Sequence, residues 1–168
     1  IAALAYGTRT IRRVEKIAGP GNAWVAAAKD LVSKDCAVDM RAGPSEIVVW
    51  AEAGHARWIA ADLMAQAEHD PAARAILVTS NRRLADRVKR ETGGTGETVL
   101  VKTRQAAIDA IDRIAPEHLV CANRRDAAAV RYAGTIFVGP WSAQAVGDYT
   151  TGSNHVLPTS GGARWRGG

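Results

Sequence analysis

IVVWA, residues 47–51, is the stretch on which the fold reading turns. An unbroken apolar run of this length is typical of a strand buried on both faces. It follows a turn, Arg41-Ala42-Gly43-Pro44-Ser45, and precedes a helical run that begins near His55 and continues to His69. Within that run Ile59, Leu63 and Gln66 fall at i, i+4 and i+7 and share one face. Asp70-Pro71 stops the helix, because the residue before a proline is driven out of the α region. Ala75–Thr79 then reads as a second buried strand. Strand, helix, strand at this spacing predicts an α/β domain with a largely parallel sheet.

Outward from this unit the alternation continues. Towards the C-terminus the pattern predicts a basic helix from Arg82 to about Arg90, a turn at Thr92–Gly96 and a strand at 98–101. A helix at 105–114, a short strand at 119–121, a helix at 126–132 and a strand at 135–138 follow. Thr92-Gly93-Gly94-Thr95-Gly96 follows a helix rather than a strand and lacks the G-x-G-x-x-G pattern, so it is read as a turn and not as a phosphate cradle. Beyond Gly139 the chain is rich in Gly, Pro, Ser, Thr and Asn, which predicts mostly loop. Towards the N-terminus, residues 1–7 look like a helix closed by Gly7, and 14–17 like a short strand. Asn22, after the tight turn Gly19-Pro20-Gly21, is a suitable N-cap for an alanine-rich helix over 23–32. In sheets of this class ligands sit beyond the carboxyl ends of the strands, so that edge is where a site is expected.

The composition narrows the function classes. An apolar fraction of 47% in 168 residues supports a sizeable core. No run is long enough to span a membrane, and there is no signal-peptide pattern. The two cysteines, Cys36 and Cys121, form no C-x-x-C motif or disulfide framework and read as packing residues in a reducing, cytoplasmic setting. The net charge of +5 comes partly from Arg12-Arg13, Arg82-Arg83 and Arg124-Arg125. These pairs are dispersed and carry no interleaved aromatic residues, unlike a nucleic-acid platform. The chain starts at Ile1 and finishes WRGG, which reads as a piece of a larger protein.

Of the four histidines, His55 opens a helix and reads as a surface residue, while His69, His118 and His155 lie in polar motifs. Gln66-x-x-His69 puts an amide oxygen and an imidazole on one side of a last helical turn. Taken alone, the plainer reading of that pair is a capped helix end. Glu117-His118, after Ala115-Pro116, supplies two proton acceptors near neutral pH, or a first-turn acid beside a structural histidine. Asp148, between Gly147 and Tyr149, offers a hard anionic oxygen. With Gln66 and His69 it would complete three N/O ligands suited to zinc or a similar divalent ion, provided that the fold brings it to them. Otherwise it caps a turn. Ser45 lacks a G-x-S-x-G elbow and is rejected as a nucleophile. It is a turn residue or a hydrogen-bond donor to substrate.

In order along the chain, IAGPGNAWVAAAK, VDMRAGPSEIVV, DLMAQAEHDPAARAILVT, RIAPEHL and AGTIFVGPWSAQAVGDYTTGSNHVLPTSGGAR resemble the histidinol dehydrogenase family over nearly the whole sequence. Each motif is modest alone, but five in the right order are specific. The resemblance implies NAD- and zinc-dependent oxidation of L-histidinol through an aldehyde to L-histidine, by an intertwined homodimer built from two related, incomplete Rossmann-like domains. It places residues 1–43 at the end of one such domain and 44–160 in the later half of the other, with 161–168 as a tail. It matches Gln66, His69 and Asp148 to zinc ligands that also hold the substrate, and Glu117 and His118 to the proton acceptors. Ser45 and His118 match substrate contacts, and Asn22 matches a contact to NAD.

The family's fourth zinc ligand, a C-terminal histidine from the partner subunit, has no counterpart here, and the stretch 89–98 is shorter than the family pattern. These departures predict that the chain alone binds zinc weakly or not at all and does not turn over. Two other readings stay open at this point. One is a relative on the same scaffold that oxidises another small alcohol, such as sulfopropanediol. The other is an inactive fragment serving as a dimerisation or binding module.

Overall fold

The computed structural model describes residues 1–19, 21–39, 45–68, 71–144, 159 and 161–164. The chain forms two compact units, Ile1–Gly43 and Pro44–Gly168.

In the first unit, helix α1 (Ala2–Tyr6) ends at Gly7, whose positive φ of 78° glycine adopts without a Cβ penalty. Strand β1 (Lys16–Ile17), helix α2 (Ala23–Val32) and strand β2 (Ala37–Val38) follow. The two strands pair in parallel, Lys16 with Ala37 and Ile17 with Val38. Ala5, Ile17, Val32 and Cys36 form a small core. Asn22 caps α2 as its sequence position predicts, its Oδ1 accepting from the N–H groups of Trp24 and Val25 at 3.1 and 3.2 Å. β2 carries too few residues to be seen in the sequence pattern.

The second unit contains strand β3 (Glu46–Trp50), helix α3 (Ala56–Ala67), strand β4 (Arg74–Thr79), helix α4 (Arg82–Glu91) and strand β5 (Glu97–Leu100). Helix α5 (Arg104–Ile114), strand β6 (His118–Cys121), helix α6 (Arg124–Ala127), strand β7 (Thr135–Val138) and a 3-10 turn (Gly162–Arg164) complete it. All five strands are parallel, in the order β5-β4-β3-β6-β7. The chain moves outward from β3 to β5, crosses to the other side and resumes at β6. The join between β3 and β6 is therefore where the strand order reverses.

Period-2 alternation assigns the faces of the sheet. Ile47, Val49, Ala75 and Leu77 pack with Ile59 and Leu63 of α3 and Leu84, Ala85 and Val88 of α4. Val48, Trp50, Ile76 and Val78 pack on the opposite face with Ala107, Ile108 and Ile111 of α5. The run 47–50 thus faces helices on both sides, which is why it is apolar throughout. Each fully buried Val, Ile or Leu contributes about 1.5–3 kcal/mol relative to exposure. Cys36 and Cys121 are both buried in these cores, as packing residues, and burial pushes the Cys121 thiol up.

One predicted element is much shorter than its pattern. The helix expected over 126–132 is a single turn, Arg124–Ala127. The carboxylate of Asp112 on α5 takes the N–H groups of both Arg131 and Tyr132, at 2.8 and 3.1 Å, so these amides leave the helical ladder. No helix among the described residues is long and apolar enough to cross a membrane.

Candidate functional site

Three of the polar motifs meet at the amino edge of the second unit's sheet, not at the carboxyl edge where the general rule for such sheets places ligands. Ser45 immediately precedes β3, and its carbonyl accepts the N–H of Arg74 at 3.0 Å, which fixes it against β4. Glu117 precedes β6, and its carbonyl accepts the N–H of Thr135 at 2.8 Å, which fixes it against β7. Because β3 and β6 are neighbours and Ile47 pairs with His118, Ser45 and Glu117 stand across the join where strand order reverses. The Ser45 hydroxyl donates to Glu117 Oε2 there.

His118 is the first residue of β6, 8% exposed. Its Nδ1 lies 3.9 Å from Glu117 Oε2, an ion pair when the ring is protonated. Its ring sits 5.9 Å from that of Phe137 at a tilt of 46°. Pairing with Ile47 puts His118 on the same face as Val120, which packs with the α3 and α4 core. Gln66 lies in the last turn of α3, on the stripe with Ile59 and Leu63 that its spacing predicts, and is 3% exposed. α3 runs antiparallel to the strands, so its C-terminal turn comes to the amino edge. Ser45, Gln66, Glu117 and His118 are therefore brought to one edge, with Gln66 and His118 on one face of the sheet. His69 and Asp148 lie outside the described residues.

The chain leading to this region is strained at one point. Ala115 closes α5 at φ 49° and ψ 60°, the one non-glycine residue with positive φ among those described, and is fully buried. Left-handed backbone at an alanine is unfavourable. It turns the chain from α5 into Pro116-Glu117-His118, so strain sits beside Glu117 and His118.

Gln66 Oε1 is buried and has no hydrogen-bond partner among the described residues. A buried amide oxygen without a donor is costly, and its lone pairs remain available to an electron-poor ligand. The segment after β7 runs along α3 on its way to Gln144. Trp141 packs against Trp58 with ring centroids 5.2 Å apart at a tilt of 47°, and the N–H of Gln144 donates to the Asp62 carboxylate. Asp62 stands one helical turn before Gln66. Burial raises the Asp62 carboxyl above its ordinary value, against the opposing pull of that hydrogen bond.

Asn22, in the first unit, spends Oδ1 on the cap of α2. Sequence reasoning did not single out its neighbour Lys29, which is 3% exposed and paired with Asp39. The available signal was its spacing: a lysine at i+4 from Val25 and i−3 from Val32 lies on the buried stripe of α2.

The family model described as histidinol dehydrogenase matches residues 1–98 and 89–168. The chain is similar to histidinol dehydrogenases of Acinetobacter baylyi (47% identical, covering 98% of this chain and 43% of the relative), Archaeoglobus fulgidus (47%, 100% and 44%) and Rhodospirillum rubrum (49%, 100% and 44%). It spans less than half the length of these relatives. Among solved structures, the histidinol dehydrogenase of Elizabethkingia anophelis superposes with a TM-score of 0.91 at 32% identity, covering 99% of this chain and 43% of that one. The three alignments run over 186, 177 and 191 positions, more than the 168 residues of this chain, so these relatives carry residues that it lacks. The two family matches overlap at 89–98, the end of α4 and the turn into β5, where the family pattern reads as shortened. Five ordered motifs, the parallel sheet and these matches over nearly every residue lead to one conclusion: the chain belongs to the histidinol dehydrogenase family.

Proposed function

We propose that this chain carries the metal-binding and proton-transfer centre of an NAD-dependent, zinc-binding enzyme that oxidises L-histidinol through histidinal to L-histidine. The observation that carries this reading is the orphaned Gln66 Oε1, buried on the same face and edge as His118. A neutral amide oxygen with no donor is a good partner for a divalent cation and a poor one for a sealed apolar core. Gln66, His69 and Asp148 would hold the metal. Chain length favours the third of these. Gln144 is tied to Asp62, one turn before Gln66, and Asp148 is four residues further on, a reach of up to roughly 14 Å in extended chain.

When bound, zinc would anchor the imidazole and amino group of histidinol, and NAD would accept hydride. The chain's own residues supply the proton chemistry. His118 would take the alcohol proton in the first oxidation and serve again in the second. Glu117 would take a proton from the water that attacks the aldehyde. Ser45 donates to Glu117 Oε2 and so orients the carboxylate, and the same hydroxyl is within the region where substrate would bind. Asn22, with Oδ1 occupied by the helix cap, would offer its Nδ2 donor to an acceptor oxygen of NAD. A homodimer and a cytoplasmic setting accompany this reading.

The test is a zinc titration of metal-free chain followed by thermal melting, with and without L-histidinol, and an assay for NADH. The expected result is weak zinc-dependent stabilisation that strengthens with histidinol, and no turnover from the 168 residues alone. No zinc response at all, or one unchanged by Gln66→Met, would overturn the assignment of the metal site. Tight one-to-one zinc with NADH formation would overturn the expectation that this chain is insufficient.

A further inference from the structure

The first unit contains a buried ion pair that the proposed chemistry does not use. Lys29 Nζ lies 2.6 Å from Asp39 Oδ1, with the two side chains 4% and 11% exposed. The same ammonium donates to the carbonyl of Gly19 at 2.5 Å, and the other oxygen of Asp39 accepts the N–H of Gly19 at 2.7 Å. Both the N–H and the carbonyl of one glycine are therefore held, by an aspartate just beyond β2 and a lysine on α2. The N–H of Asp39 in turn donates to Ile17 on β1, at 3.2 Å. The ring of contacts fastens Gly19 to both strands and to α2, three residues before the cap residue Asn22.

A buried ion pair is seldom the most stable way to fill a core. Apolar replacements of equal volume often hold as well or better, whereas removing one partner strands a charge. What this pair supplies that an apolar pair cannot is a fixed position for one particular peptide. The turn's other end is equally constrained. A Cβ on Gly21 would meet Val25 Cγ1 at 2.4 Å, so the backbone is pressed onto the first turn of α2. Asn22 itself is held by two cap bonds. Its side chain is thus placed from three directions.

We propose that Lys29 and Asp39 are positioning residues for the dinucleotide: their ion pair holds Gly19, and through the turn sets the Asn22 side chain for NAD. This rests on Asn22 as the NAD contact proposed above. Neither residue touches the cofactor. Their effect is read as the rigidity of the turn and the affinity it permits.

The experiment compares the full chain with Lys29→Met and Asp39→Asn, following amide hydrogen exchange by NMR and NAD+ affinity by calorimetric titration. Lys29→Met is expected to speed exchange at Gly19, Trp24 and Val25 by about tenfold or more and to weaken NAD+ by a similar factor, with Val48 and Ile76 unchanged. Unchanged exchange at Gly19 overturns the proposal, and so does uniform acceleration across the first unit, which marks general core support. If Lys29→Met leaves that unit unfolded, Asp39→Asn, which keeps a neutral acceptor near Gly19, decides by the same readout. A wild-type chain that binds no NAD+ removes the cofactor role from Asn22 and from the pair. The exchange data then decide the clamp by itself.

Discussion

Gln66 is an amide on a helix stripe that otherwise belongs to the core. On the stripe with Ile59 and Leu63 a leucine or methionine would be the stable choice. The amide buries an acceptor without a donor among the described residues, so Gln66→Met should raise the stability of the metal-free chain by about 1 kcal/mol. The same substitution should abolish zinc-dependent stabilisation. Melting curves with zinc and with chelator measure both effects, and a loss of metal-free stability would mean that the amide has a structural partner. Asp62 gives a prediction in pH. Its folded-state carboxyl is raised by burial, so the folded chain holds that proton more tightly than the unfolded one. The associated stability is present in full below the unfolded value and is lost as pH rises through the folded one. Asp62→Asn should therefore stabilise the chain near neutral pH and give no gain below the ordinary carboxylate range. Urea midpoints across that span check the sign.

At the scale of elements, the connection from α4 to β5 falls where the two family matches overlap. α4 stops at Glu91, and the N–H of Gly94 bonds back to Lys89 at 2.9 Å. Gly96, at φ 88°, lies against β4, where a Cβ would stand 2.9 Å from the carbonyl of Ala75. Gly93, at φ 60°, faces open space. Gly96→Ala should cost about 1–3 kcal/mol, combining left-handed strain with a backbone clash, and Gly93→Ala should cost about 1 kcal/mol from strain alone. Chemical denaturation of the two variants distinguishes a turn that packs from one that only bends. β5 pairs in register with β4, from Ile76–Glu97 to Thr79–Leu100. The Arg74–Glu97 ion pair, bonded at 3.0 and 2.9 Å, closes that edge. It holds the Glu97 carboxyl below its ordinary range.

The whole molecule has separate cores, one in the first unit and two faces of a sheet in the second. Ile76 is fully buried at the centre of the face that carries α5. Ile76→Ala should destabilise the second unit by about 2–5 kcal/mol. Hydrogen exchange should accelerate at Val48 and Leu119 and remain unchanged at Ile17 and Val32. Equal acceleration in both units would show that they unfold as one.

The sequence alone determined the alternation of strands and helices, the apolar run through β3, the cap at Asn22 and the stripe ending in Gln66. Each of these is written in neighbouring residues, as period, propensity or cap chemistry. Its ordered motifs also carried the family. Local pattern did not determine which edge of the sheet gathers the polar groups, because that depends on strand order and on the antiparallel course of α3. It overran α6, because the competing carboxylate of Asp112 lies 19 residues from Arg131. It missed the Lys29–Asp39 clamp and the bond from Ser45 to Glu117, whose partners are 10 and 72 residues apart. Contacts at those separations exist only once the sheet has formed. Tertiary structure therefore decided that a serine before β3 and a glutamate before β6 share one site.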